Sequence, residues 1–211
     1  MKKNFIQLAG AAVSLAGAVF SSTACAQYYL GGGVGQDHSA LPSLSTRISG
    51  NAVTVSGADS NKTTWKAYGG YQFTPHWGLE GGFTSLGTGH RVNLKFGALA
   101  GSGNYNLGSW QLAGTGTLPL DGGFSVFGKL GFARNRFGGG NACVTGFCAA
   151  LGTADRTNVL WGVGAQFAIT KAWALRLEYE DYGVFDKDIY GALGSGALKA
   201  SAWNLSAKYS F

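Results

Sequence analysis

The chain has 211 residues, of which 36 are glycine, 13% aromatic and only 12% charged, with a formal net charge of +6. So few charges cannot coat an ordinary soluble domain, and so many aromatics argue against disorder. The positive balance is mild and lies mostly in expected loops, far short of a nucleic-acid footprint.

The first element is a leader. Met1-Lys2-Lys3 is positive, residues 8–20 are apolar, and Ala24-Cys25-Ala26 precedes Gln27. This is the pattern of a cleavable secretory signal peptide over residues 1–26, and its apolar run is too short for a confident spanning helix. A second reading makes Cys25 a lipid-anchor cysteine, although Ser22 stands where such signals usually carry leucine. Beyond residue 26 nothing approaches 18 consecutive apolar residues, so residues 27–211 are expected to form one domain without a spanning helix.

Period-two alternation then marks eight strands. They are Gln27–Gly35, Thr64–Phe73, Trp77–Leu86, Tyr105–Leu118, Phe124–Asn135, Asn158–Ile169, Trp173–Val184 and Ala200–Phe211. Most are about ten residues long, enough for a tilted strand to cross a bilayer. Short turns at Thr74–His76, Pro119–Gly123 and Thr170–Ala172 alternate with long polar segments near 36–63, 87–104, 136–157 and 185–199. The fold predicted is all-β: an eight-stranded antiparallel up-and-down transmembrane β-barrel in a Gram-negative outer membrane, both termini periplasmic. The last strand, Leu205-Ser206-Ala207-Lys208-Tyr209-Ser210-Phe211, alternates to a terminal aromatic. It is the segment expected to engage the barrel assembly machinery.

Side-chain parity sorts the two faces. Phe124, Val126, Leu130 and Phe132, Val159, Trp161, Val163 and Phe167, Trp173, Leu175 and Leu177, and Trp203, Leu205 and Phe211 share an uncharged parity and are expected to face lipid. Phe73, Trp77, Phe167, Trp173, Tyr209 and Phe211 lie near the short turns, and Trp65, Trp161 and Trp203 near the long segments. Two aromatic girdles follow from rings that prefer headgroup depth. Trp110 fits them less clearly.

The opposite parity carries Glu80, Lys129, Gln166, Arg176, Glu178, Glu180, Asn204, Ser206 and Lys208. An eight-stranded barrel is just wide enough for its side chains to fill, so these groups must pair or be hydrogen-bonded. A network of Glu80, Lys129, Arg176 and Glu178 is expected, with Lys208 and Gln166 at its margin. It reads either as a structural plug or as a gate whose pairs rearrange to pass small ions.

Cys143 and Cys148 follow the leader into an oxidising compartment and are expected to close a small disulfide ring, the alternative being two free thiols. No histidine lies near them in sequence, which disfavours a metal site, and no cofactor is expected. An enzyme needs a base within reach of a nucleophile. His38 beside Ser39 and His90 fall in polar segments expected to be flexible, and His76 sits in a turn beside Pro75. No catalytic motif surrounds them, so a non-enzymatic protein is expected. The Gly31–Gly35 run lacks the lysine and following helix of a phosphate loop, and reads as room for long side chains opposite. Arg47, Lys62, Arg91, Lys95, Arg134, Arg136, Arg156, Lys187 and Lys199 lie at or near the long segments. They read as solvated charge or as partners for lipopolysaccharide phosphates.

Trp77-Gly78-Leu79-Glu80-Gly81-Gly82-Phe83, Gly128-Lys129-Leu130-Gly131 and Ile169-Thr170 followed by Arg176-Leu177-Glu178-Tyr179 resemble the transmembrane domain of the outer membrane protein A superfamily. The resemblance covers nearly the whole chain after the leader. It implies an interior salt-bridge network and roles in envelope integrity, adhesion or slow solute passage. Glu80, Arg176 and Glu178 match the family's third- and seventh-strand charges, and Lys129 a basic position on the fifth. Gln166 stands where the sixth strand often carries a glutamate, which weakens the gating analogy. No residues remain for a peptidoglycan-binding domain, so cell-wall anchoring is not expected. The reading is a monomeric envelope-structural or surface-interaction protein, with a narrow pore for small or hydrophobic solutes and a loop-borne adhesin as alternatives.

Overall fold

A computed structural model describes residues 27–40, 43–48, 51–57, 61–96, 99–144, 147–150, 152–186 and 197–211. The expected leader, residues 1–26, lies outside the described residues. Among the described residues twelve strands are present: β1 (Gln27–Ala40), β2 (Leu44–Ile48), β3 (Asn51–Gly57), β4 (Thr63–Gln72), β5 (Trp77–Ser85), β6 (His90–Phe96), β7 (Leu99–Pro119), β8 (Phe124–Val144), β9 (Phe147–Ala150), β10 (Thr153–Ala168), β11 (Trp173–Asp186) and β12 (Leu198–Ser210). All pair antiparallel. Eight of them, β1-β4-β5-β7-β8-β10-β11-β12, close into a ring because β1 pairs with β12 and β7 with β8.

The long segments differ from the expectation of polar loops. Much of 36–63, 87–104 and 136–157 is sheet: β1, β7, β8 and β10 run past the expected strand ends, and β2, β3, β6 and β9 pair along them. The cause is in the residues, since Val53–Ser56 and Arg91–Phe96 themselves alternate apolar and polar residues. In the fourth segment β11 runs on to Asp186, β12 starts at Leu198, and residues 187–196 lie outside the described ones.

Two of the three short turns share one construction. The hydroxyl of Thr74 accepts hydrogen bonds from the amides of His76 (3.2 Å) and Trp77 (3.0 Å). Thr170 does the same for Ala172 (3.2 Å) and Trp173 (3.0 Å). A threonine three residues ahead of a tryptophan thus closes each turn with its own side chain. The third turn, Asp121–Gly123, needs positive φ at Gly122 and Gly123.

Alternation along the strands separates an apolar outside from a mixed inside. Leu130, Phe132, Val159, Val163, Leu175, Leu177 and Leu205 are exposed, whereas Lys129, Arg176, Glu178, Asn204 and Ser206 are buried. A soluble sheet protein shows the reverse. The interior has two storeys. The one nearer the short turns is charged; the one nearer the long hairpins is a packed cluster of Leu86, Tyr105, Leu107, Phe137, Leu160, Tyr182, Phe185 and Leu198 with several alanines. Tyr182 continues the inward row of Glu178 and Glu180, and a register shift in β11 between Asp181 and Val184, at Gly183 with positive φ, turns Phe185 inward as well. The expected unbroken parity of that strand therefore ends after Tyr182.

Cys143 and Cys148 form a disulfide across the β8–β9 hairpin, where they are direct register partners. The hairpin stands beyond the ring, so its bond constrains only a short local segment. Reduction with dithiothreitol is expected to leave the melting of the ring unchanged while raising protease cleavage between residues 141 and 150. A drop in ring melting comparable to the roughly 2 kcal/mol of such a short closed loop would contradict this.

Candidate functional site

Six ionised side chains meet inside the ring. Lys66 comes from β4, Glu80 from β5, Lys129 from β8, and Arg176, Glu178 and Glu180 from alternate positions of β11, which place all three on its inner face. Their side chains are 0–4% exposed. Lys66 Nζ lies 2.7 Å from Glu178 and 2.9 Å from Glu180. Lys129 Nζ reaches Glu80 at 3.0 Å, Glu178 at 2.9 Å and Glu180 at 2.5 Å. Arg176 binds Glu80 at 2.6 Å and Glu178 at 3.1 Å. Three cations face three carboxylates, and the set is neutral.

Neutral donors join the shell at Glu80 and Glu180. Tyr29 donates to Glu80 (3.2 Å), and Tyr182 (2.7 Å) and Asn204 (3.3 Å) to Glu180. The Arg176 guanidinium lies 3.9 Å from the centroid of Phe127 and 5.1 Å from that of Tyr68. Charges so far from water persist only when each has an opposite charge beside it, as all six have here. Tyr182 joins the storeys: its hydroxyl binds Glu180 and Thr84, while its ring belongs to the apolar cluster above.

Glu80, Lys129, Arg176 and Glu178 are therefore brought together. Lys208 is not: its ammonium stands 4.5 Å from the centroid of Tyr29 and forms no ion pair with the cluster. Gln166 is half-buried, opposite Arg176 and Ser125 in register, and is likewise outside the cluster. The sequence reading missed Lys66 as a member and left Glu180 out of the network although its parity pointed inward. The signal for Lys66 was available, since it alternates with outward Trp65 and Ala67.

Outside, the aromatic side chains form rows. Trp173, Tyr209 and Phe211 succeed one another at centroid distances of 5.0 and 5.0 Å, and Phe124 meets Phe167 at 4.6 Å, near the short turns. Phe73 packs on Tyr71, and Trp77 is exposed beside them. Nearer the hairpins, Trp161, Tyr179 and Trp203 make one row and Trp65, Phe83 and Trp110 another. Trp110, ambiguous in the sequence, stands in the hairpin-end tier.

His90 differs most from its expectation. It is buried at the start of β6 with its ring stacked on Tyr105 at 5.0 Å. Its Nδ1 is 3.3 Å from the hydroxyl of Ser39, and its Nε2 is 2.9 Å from the Leu86 carbonyl and 3.7 Å from the Asp37 carboxylate. Ser39 thus meets His90 and not its neighbour His38. The three residue types are those of a hydrolase, but Nε2 is directed at a backbone carbonyl and Asp37 and His90 have no exposed side-chain surface. A nucleophile must touch its substrate, and this set instead ties β1 to β6.

No curated protein matches the chain in sequence. Among solved structures it is similar to OprG of Pseudomonas aeruginosa, with 14% identity over 90% of this chain and 98% of that one at a TM-score of 0.54. It is also similar to Ail of Yersinia pestis in complex with the heparin analogue sucrose octasulfate, with 17% identity, 89% and 100% coverage and a TM-score of 0.52. Neisserial surface protein A follows at 11% identity, 87% and 97% coverage and a TM-score of 0.52. At these identities the likeness is one of fold. Residues 7–211 match the outer membrane protein β-barrel domain, and with nearly its whole length so matched the chain belongs to that family.

Proposed function

We propose that the protein is a closed, non-enzymatic barrel of the Gram-negative outer membrane, exported by a cleavable leader at residues 1–26, with an envelope-structural or surface-interaction role. The observation that carries the reading is the inverted distribution of side chains. Apolar residues bounded by two aromatic tiers cover the outside, and a neutral ion cluster is sealed within. Only hydrocarbon makes that arrangement favourable. The short turns then face the periplasm, and the extended hairpins of β2–β3, β6–β7 and β8–β9 face outward, available to partners outside the cell.

A steady aqueous pore is disfavoured by the filled interior, in which the ion cluster and the apolar cluster lie one above the other. In planar bilayers the folded protein is expected to show no regular conductance steps, and Tyr182→Ala with Phe185→Ala to introduce them. Regular steps in the unaltered protein would replace this reading with a channel. Insertion itself is tested by solubility. The folded chain should require detergent or lipid, and a form freely soluble without either would overturn the proposal.

A further inference from the structure

On the outer wall near the hairpin end, β8 carries Arg134 and Arg136 on the same face as Phe132. In register, Trp110 of β7 stands beside Arg134 and Gly108 beside Arg136, and Asp155 of β10 stands on the other side of Arg136. Asp155 lies 3.2 Å from Arg134 and 3.9 Å from Arg136, which holds the two guanidinium groups side by side. Both nonetheless remain 68% and 72% exposed. With one carboxylate between two cations, the trio keeps a positive charge. Beside Arg136, the space at Gly108 is taken by the ring of Phe83, 3.3 Å from where a side-chain carbon would stand.

We propose that this trio, with Trp110 and Phe132, binds the phosphorylated sugar headgroup of an outer-leaflet lipid. The inference rests on the membrane reading above and adds a site to it. Depth is the first support. The arginines begin in the row of Trp110 and rise above Phe132, so that if these rings mark the edge of the hydrocarbon, the guanidinium groups lie at the height of lipid phosphates. Charge is the second. Paired guanidinium groups present forked donors that match phosphate oxygens. The third is the weakness of the exposed Asp155 pairs, which a phosphate can share or displace at little cost. The acyl chains would run down over Phe132 and Leu130, which are exposed on the same face.

The test uses the full folded chain in detergent micelles, with native mass spectrometry counting retained lipid. The probes are bisphosphorylated lipid A, the same lipid dephosphorylated, and phosphatidylglycerol. Bisphosphorylated lipid A should be retained roughly tenfold better than either other probe. The variant Arg134→Gln with Arg136→Gln should lose that preference, while Arg47→Gln with Lys95→Gln should keep it. Equal retention of the dephosphorylated lipid, equal retention of phosphatidylglycerol, or an undiminished preference in the first variant would each overturn the proposal. Failure of the membrane reading shows separately, as a chain that never gives a heat-modifiable folded band.

Discussion

Replacing Lys66 with methionine is expected to destabilise the folded ring by about 3–5 kcal/mol, the cost of leaving a buried charge set unpaired. The ammonium of Lys66 sits 2.7 Å from Glu178, 2.9 Å from Glu180 and 3.7 Å from Glu80, with none of its side chain exposed. Its loss leaves three carboxylates against two cations where water cannot compensate. Lys208→Met supplies the contrast. That lysine lies inward with its ammonium 4.5 Å from the Tyr29 ring and no ion pair among the described residues, so its removal should cost far less. Adding Glu180→Gln to Lys66→Met restores the charge balance and should recover part of the loss, giving a coupling energy above the error of a double-mutant cycle. Because the pairs are buried, 1 M salt should change the result little. Urea midpoints in detergent or gel-shift melting would read all of this, and equal effects at Lys66 and Lys208 would refute the geometry. Arg176→Ala should likewise lower melting, since Arg176 pairs with both Glu80 and Glu178.

The second large effect is expected at the seam between β1 and β12. A side-chain carbon on Gly33 would fall 2.2 Å from the Leu205 carbonyl oxygen and 2.6 Å from the Ser206 Cα, both of them backbone atoms. The strand would have to move away from its partner. Gly33→Val should therefore cost at least about 3 kcal/mol, the upper range for overpacking, and abolish the heat-modifiable band. Gly32→Val, one residue earlier, points outward, where the nearest heavy atom is the Lys66 carbonyl oxygen at 3.5 Å. It should fold. If both variants fold equally well, the tight approach at Gly33 is not real. The contrast also separates sterics from glycine's backbone freedom, because no unusual φ is recorded at either residue.

How much of this was written in the sequence depends on the kind of signal. The eight ring strands and their three short turns were legible because period-two alternation is local and the turns interrupt it. The upward extension of the sheet was not, because the alternating runs Val53–Ser56 and Arg91–Phe96 are short and flanked by glycine, so they read as loop. Glu80, Arg176 and Glu178 stood out by parity and by position. Lys66 shows the inward parity, but its level beside Glu178 and Glu180 depends on strand tilt and stagger, which no single strand encodes. The burial of His90 could not be foreseen either. It follows from β6 pairing with β7 and from the approach of Ser39 on β1, both set by tertiary structure. The switch at Gly183 that sends Phe185 inward is a bulge, and one glycine in a strand is a faint mark of it.

The seam has one more consequence. The register from Tyr29↔Ser210 to Ala40↔Lys199 joins the earliest and latest described strands. Until that pairing forms, two rows of bare amides and carbonyls remain, which oil cannot tolerate. Closure of the ring thus depends on β12 reaching β1. Any chaperone that escorts the chain must shield both rims for that whole interval.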